Sequence, residues 1–165
     1  MAIRNIRQEG DEILKKKSKE IDEVDDKIRE LMNDMVETMH KYDGVGLAAV
    51  QVGILKRIIV IDLYDEKPII KLANPVILKT KGKQKVEEGC LSFPNRFVKV
   101  ERPNEITVEG INENGDKVKI TATGLLAQAL SHEIDHLNGV VLTDVMLPGT
   151  MEYVKPDNSK KNSKK

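Results

Sequence analysis

Tryptophan is absent from the sequence, and the single cysteine is Cys90. One cysteine excludes an intrachain disulfide, so nothing staples this chain covalently. A lone cysteine is ordinarily a small buried hydrophobe, but near histidines it can also be a metal ligand or nucleophile. Aromatic residues make up only 3% of the chain, which leaves the core to Ile, Val, Leu, Met and Ala. No apolar run approaches the roughly 20 residues needed to cross a bilayer. The opening MAIRNIRQEGDEILKKK lacks the apolar centre of a signal peptide. The expected localisation is therefore cytoplasmic, with no membrane partner. A surplus of either charge sign is missing too: 27 basic and 27 acidic residues leave zero formal net charge. Nucleic-acid binders usually carry a basic surplus, so no specific nucleic acid is expected as a partner.

The composition that remains is that of a globular protein, 39% hydrophobic and 33% charged over 165 residues. That length suits one domain. We expect it over residues 1–150, followed by a flexible basic tail over 151–165. KPDNSKKNSKK, residues 155–165, has no apolar side chain and is expected to stay solvated. There is no internal repeat.

Ile28, Leu31, Met32, Met35, Val36 and Met39 fall at helical spacing and predict a helix over 25–42. Asp22 and Asp25 are candidate N-caps. The three methionines read as core packing, and His40 as a cation near the helix C-terminus. DGVGLAAVQVG (43–53) ends the helix in a glycine-bearing turn that matches no phosphate-binding pattern. RIIVIDLYD (57–65) and PIIKLANPVILKT (68–80) read as strands, with Pro75 at a break or an edge. In 105–123, Ile106, Val108 and Gly110 alternate opposite Val118, Ile120 and Ala122 across Asn114-Gly115, which predicts a hairpin. The pattern returns to helical period at 124–139, with Thr123 as N-cap and Asn138-Gly139 as the stop. VVLTDVM (140–146) reads as a short strand or buried extension. The fold class is α+β: mostly antiparallel sheets packed around a late helix, with an N-terminal helix on the outside.

The late helix carries SHEIDHLNG (131–139), with two of the chain's three histidines. His132 and His136, spaced i and i+4, lie on one helix face and can occupy adjacent corners of a tetrahedral metal site. Glu133 can stand beside the metal without binding it, as a general base does. Two ordinary histidines on a helix would show the same spacing. Leu125 and Ala129 share the histidine face, however, and point to a semi-buried cleft. A catalytic metal needs a third protein donor. The protease pattern HExxHxxGxxH finds its glycine at Gly139 but meets Leu142 where the third histidine belongs. Asp144, Glu152 and Asp157 are the acids downstream, with no clear helix to present them. His40 is already accounted for by its helix. Cys90, within EEGCLSFP (87–94), is the better candidate. Gly89 permits close backbone approach there, and Pro94 is expected to end the segment.

With GVGLAAVQ (44–51), EGCLS (88–92) and HEIDHLNG (132–139) in this order, the sequence resembles the peptide deformylase family from the opening IRNIRQEGDEILKKKSKEI to about Met146. The resemblance implies one divalent metal on Cys90, His132 and His136. Fe(II) is expected in the cell, and zinc, nickel or cobalt can take the same site. It implies removal of the formyl group from the N-terminal formyl-methionine of new polypeptides, with a ribosome-proximal place of action. Metal-bound hydroxide would attack the formyl carbon, with Glu133 as general base and then acid. The Gln51 side chain and the Leu91 backbone N–H would stabilise the oxyanion. Gly46 would let the substrate backbone approach, and Val45, Leu125 and Ala129 would line the methionine pocket. Asp135 is read as orienting a histidine or pairing with a base such as Arg102. The sequence departs from the family in two places. Val50 stands where many members have proline, and Ser131 where glutamine commonly precedes the first histidine. Neither is a ligand, so tuning rather than loss is expected. The long C-terminal amphipathic helix of many bacterial members is also not seen.

Overall fold

The computed structural model describes residues 2–154. Helix α1 spans Asp26–Lys41, and Asp25 caps it by accepting the Ile28 N–H at 2.9 Å. Its buried stripe is Ile28, Leu31, Met32, Met35 and Met39, as the helical spacing predicts. Each such side chain contributes about 1.5–3 kcal/mol of transfer free energy when fully buried. The three methionines are core, fully enclosed.

A five-stranded antiparallel sheet follows, from β1 (Gly46–Ala48), β2 (Ile58–Ile61), β3 (Ile70–Lys81), β6 (Glu105–Ile111) and β7 (Lys117–Thr123), in that spatial order. β2 is buried on both faces, so alternation in its sequence is lost. Ile58 and Val60 face α1, while Ile59 and Ile61 face helix α2 (Gly124–Leu137). The predicted hairpin forms in the expected register, with Ile106 opposite Ala122, Val108 opposite Ile120 and Gly110 opposite Val118. Gly115 supplies the positive φ of its turn. Pro75 does not end β3. It sits in an irregularity of the β3–β6 ladder beside Asn74, whose φ is positive.

β4 (Gln84–Cys90), β5 (Phe93–Arg102) and β8 (Glu152–Tyr153) form a second, three-stranded antiparallel sheet. Pro94 is the second residue of β5 and does not end that segment. Phe93, Val98 and Val100 pack there with Leu14, Val141 and Leu142. Of the two expectations for 140–146, the strand is corrected, since Leu142–Val145 is a short helix, α3, while the buried extension stands in Val141 and Leu142. The Asp144 carboxylate accepts the Val141 N–H at 2.9 Å and so starts a helical turn despite the β-branched run. Of the tail, residues 151–154 are described, with Glu152 opposite Phe97 and Tyr153 opposite Arg96. The solvated tail expected over 155–165 lies outside the described residues.

Helix α2 runs between the two sheets. Ala127, Leu130, Ile134 and Leu137 pack toward the five-stranded sheet. Thr123 occupies the N-cap position with extended backbone, but its side chain makes no capping bond. Gly139 ends the helix at a φ of 74°, and a Cβ there would collide with the Lys15 carbonyl. Among the described residues, no helix is long and apolar enough to cross a membrane.

Candidate metal centre and active site

Cys90 ends β4, where the pairing with β5 shifts register between Gly89 and Cys90. His132 and His136 lie one turn apart on α2, both buried. Their Nε2 atoms are 3.1 Å apart, and the Cys90 Sγ is 3.3 Å from the His136 Nε2. The three donor atoms all lie within 4.8 Å of one another, and no other such cluster occurs among the described residues. Metal–N and metal–S bonds of about 2.1 and 2.3 Å in a tetrahedral centre set donor atoms roughly 3.3–3.6 Å apart. The two edges at His136, 3.1 and 3.3 Å, lie at or just below that range, so a single divalent cation fits with a small outward shift of the donors, leaving one corner for a water or substrate.

The other residues considered as third ligands are accounted for elsewhere. His40 Nε2 meets Asp62 Oδ2 at 2.7 Å. Leu142 is buried with the small sheet, Asp144 pairs with Lys15, and Glu152 lies exposed on β8. Asp157 lies outside the described residues.

A carboxylate chain holds His132 from behind. Its Nδ1 lies 2.5 Å from Glu88 Oε1. This bond places the ring proton on Nδ1 and leaves the Nε2 lone pair for a metal. Arg102 binds Glu88 through Nε at 3.0 Å and Nη2 at 2.5 Å, and reaches Asp135 through Nη1 at 2.5 Å. The expected Asp135–Arg102 pair is thus present. Burial alone would raise the Glu88 pKa, but the bonds from His132 and Arg102 prevail and hold it down at about 2. His136 is driven well below its ordinary value, above all by burial, which keeps it neutral as a ligand must be. Sequence reasoning left Glu88 without a role. The available signal was period two: Glu88 and Cys90 stand on one face of the same strand.

Glu133 is buried beside this triangle, its Oε2 4.0 Å from the His132 Nε2. Its Oε1 has no hydrogen-bond partner among the described residues. Burial, the largest cause, raises its pKa to about 7. A carboxyl that ionises near neutrality, with one free oxygen beside a cation site, is suited to taking and returning a proton. Gly46 makes room for it: a Cβ there would lie 2.5 Å from the Glu133 Oε2.

Gln51 is fully buried in the short 3-10 turn Ala49–Val52. Its Oε1 accepts the Ala48 N–H at 2.9 Å, while Nε2 donates to the Ser92 Oγ at 3.0 Å and lies 3.5 Å from Cys90 Sγ. Those bonds fix which end of the amide faces the donor triangle. Ser92 is a residue that sequence reasoning did not single out. Leu91 follows Cys90 in the β4–β5 turn, with its side chain against Gly44. Val50 is buried in the core and Ser131 donates to the Ala127 carbonyl at 2.9 Å, so both departures are absorbed locally.

A cleft of about 860 Å³ opens onto these groups, lined in part by Val45, Gly46, Cys90, Ala129, His132 and Glu133. Leu125 also lines it, but at 54% exposure it forms the rim rather than the floor.

A Cys–His–His donor triangle with a buried carboxylate at an open cleft defines a mononuclear metallohydrolase of the HExxH type. The chain belongs to the polypeptide deformylase family, whose model matches residues 3–151. Peptide deformylase 2 of Clostridium acetobutylicum is 49% identical over 94% of this chain and 100% of its own. The peptide deformylase of Alkaliphilus metalliredigens is 52% identical over 89% of this chain and 99% of its own. The crystal structure of the Thermotoga maritima enzyme superposes with a TM-score of 0.86 at 40% identity, covering 90% of this chain and 100% of that one. The family is metal-dependent and hydrolytic, and removes the formyl group from N-terminal formyl-methionine. This chain is an enzyme of that reaction.

Proposed function

We propose that Cys90, His132 and His136 hold one divalent cation, Fe(II) in the cell and replaceable by zinc, nickel or cobalt. The site serves nascent formyl-methionyl polypeptides near the ribosome, in the cytoplasm, within one catalytic domain over residues 1–150. The observation that carries this reading is the convergence of three buried donor atoms within 4.8 Å, beside a carboxylate oxygen with no other partner among the described residues. When bound, the cation supplies Lewis acidity, making water a competent nucleophile near neutral pH and polarising the formyl oxygen.

The chain's own groups do the rest. Glu133 accepts the water proton and hands it to the departing amine. Gln51 Nε2, 3.5 Å from Cys90 Sγ, and the N–H of Leu91, the next residue after Cys90, donate to the oxygen on which negative charge develops. Such fixed donors contribute a few kcal/mol each, roughly 10²–10³ in kcat for one of them. Ser92 and Ala48 hold the Gln51 amide in place, so this donor needs no reorganisation as charge appears.

Substrate placement follows from β1. The Asp62 N–H reaches the Val45 carbonyl at 2.8 Å, so Val45 is turned toward β2. Alternation then directs the N–H and C=O of Gly46 to the open edge of the strand, toward the cleft. An extended peptide can add to that edge, with its formyl end at the donor triangle. Val45 and Ala129, with Leu125 at the rim, offer an apolar wall for the methionine side chain.

Metal analysis of anaerobically purified protein tests the centre. One iron per chain, lost in Cys90→Ala and His132→Ala, is expected. Full metal content in both variants would refute the ligand set.

A further inference from the structure

Gly44 and Gly46 give the cleft's edge strand almost no side-chain anchorage. A Cβ at Gly44 would displace Leu91, lying 2.7 Å from its Cδ1, and one at Gly46 would press on the buried Glu133. The segment that touches both the Leu91 turn and the Glu133 carboxylate thus carries two residues with the backbone freedom of glycine. Its hydrogen bonds come from outside. The Gly44 N–H donates to the Met39 carbonyl at 2.9 Å, and the Val45 carbonyl accepts from Asp62. Beyond Val45 the β1–β2 ladder ends, and the next carbonyl, Gly44 C=O, would be left to water. Instead it accepts the Tyr64 hydroxyl at 2.7 Å.

Tyr64 itself is held in an unusual way. Its φ is +56°, a conformation an aromatic residue rarely adopts. The Asp62 Oδ1 stabilises it by accepting the Tyr64 N–H at 2.8 Å, and the Asp62 Oδ2 binds His40 at 2.7 Å. The His40 ring lies against the Tyr64 ring at 5.7 Å between centroids. Tyr64 is 56% exposed, so core packing does not explain its placement. His40, Asp62 and Tyr64 form a brace whose free end is one hydroxyl on the Gly44 carbonyl. Burial, with Asp62 and Asp43 nearby, raises the Tyr64 pKa, which keeps that hydroxyl a donor.

We infer that Tyr64 is a positioning residue for peptide binding: its hydroxyl fixes the Gly44 carbonyl, and thereby the register of the Gly44–Gly46 edge against the substrate backbone. Tyr64 touches neither substrate nor the donor triangle and acts only through this loop. The inference rests on the reading of the β1 edge as the peptide-binding strand.

The test is Tyr64→Phe, which keeps the ring and removes only the bond. KM for formyl-Met-Ala-Ser rises roughly three- to tenfold, as suits the loss of one ordering hydrogen bond, while kcat stays within about twofold. In the free enzyme, hydrogen exchange at the Gly44 amide, which bonds to the Met39 carbonyl, quickens and that at core β2 amides does not. An unchanged KM, or a fall in kcat at unchanged KM, overturns the inference, as does unchanged exchange at Gly44. A wild-type protein that releases no formate refutes the reading of the site instead, and the exchange rates still decide whether the brace acts on the loop.

Discussion

Glu133 and Glu88 are two buried carboxylates, and their surroundings push them in opposite directions. Glu133 faces the cleft with one oxygen unbonded to the described residues, and burial lifts its pKa to about 7. It must be ionised to accept a proton, so kcat/KM rises with pH as Glu133 deprotonates and levels off above. A cation beside it favours the ionised form and moves this limb below about 7, never above. A pH profile from 5 to 9 checks it; an activity that falls as pH rises through that range would contradict the role. Glu88 is held ionised by His132 and Arg102, at about 2 instead of the ordinary 4.5. Its stabilising contribution is therefore complete above pH 4.5 and lost as pH falls toward 2. Glu88→Ala strands the buried Arg102 with Asp135 alone. It should cost about 3–5 kcal/mol, lower metal affinity roughly 10- to 100-fold and flatten the acid-unfolding profile in that window. Denaturant and acid melts with metal titration measure all three. The three donors were legible because each sits in a short local motif. Glu88 and Ser92 were not, because their roles depend on which strand end meets which helix.

Among elements, α1, the 105–123 hairpin and α2 could be read from periodicity alone. Each buries one face, and its pattern follows its own geometry. β4 and β5 were harder. β5 alternates Val98 and Val100 inward, but the next inward position is Arg102, a charge that serves the Glu88 and Asp135 network rather than an apolar core. α3 was misread because Val140, Val141 and Leu142 suggest a strand until Asp144 is seen to cap a turn. The α1 cap gives a clean test at this scale. Asp25 lies far from the donor triangle in sequence and supports only the helix start, so Asp25→Ala should cost about 1 kcal/mol and lower Tm with kcat/KM unchanged. Thermal melts beside formate assays would show this; a large activity loss at unchanged Tm would contradict it.

Across the whole molecule, the two sheets divide the work. The five-stranded sheet, covered by α1 on one face and α2 on the other, supplies the core and the β1 edge. The three-stranded sheet carries Cys90 and Glu88 to the opposite side of α2. The catalytic groups therefore converge only when both sheets clamp the same helix, and no single motif contains the site. The class of fold was legible because helical and strand periods separate cleanly along the chain. The clamp itself was not, since it depends on the pairing of β4 with β5. The central claim is that this clamp builds a metal-dependent deformylation centre in which Glu133 moves the proton. Formate release from formyl-Met-Ala-Ser tests it most directly, measured on wild-type and Glu133→Gln protein at equal, verified metal occupancy. The account predicts formate from the wild type, abolished by chelation, and a loss of roughly 10²–10⁴ in kcat for Glu133→Gln with metal still bound. Wild-type rates in the metal-loaded Glu133→Gln variant, or no formate from the metal-loaded wild type, would contradict it.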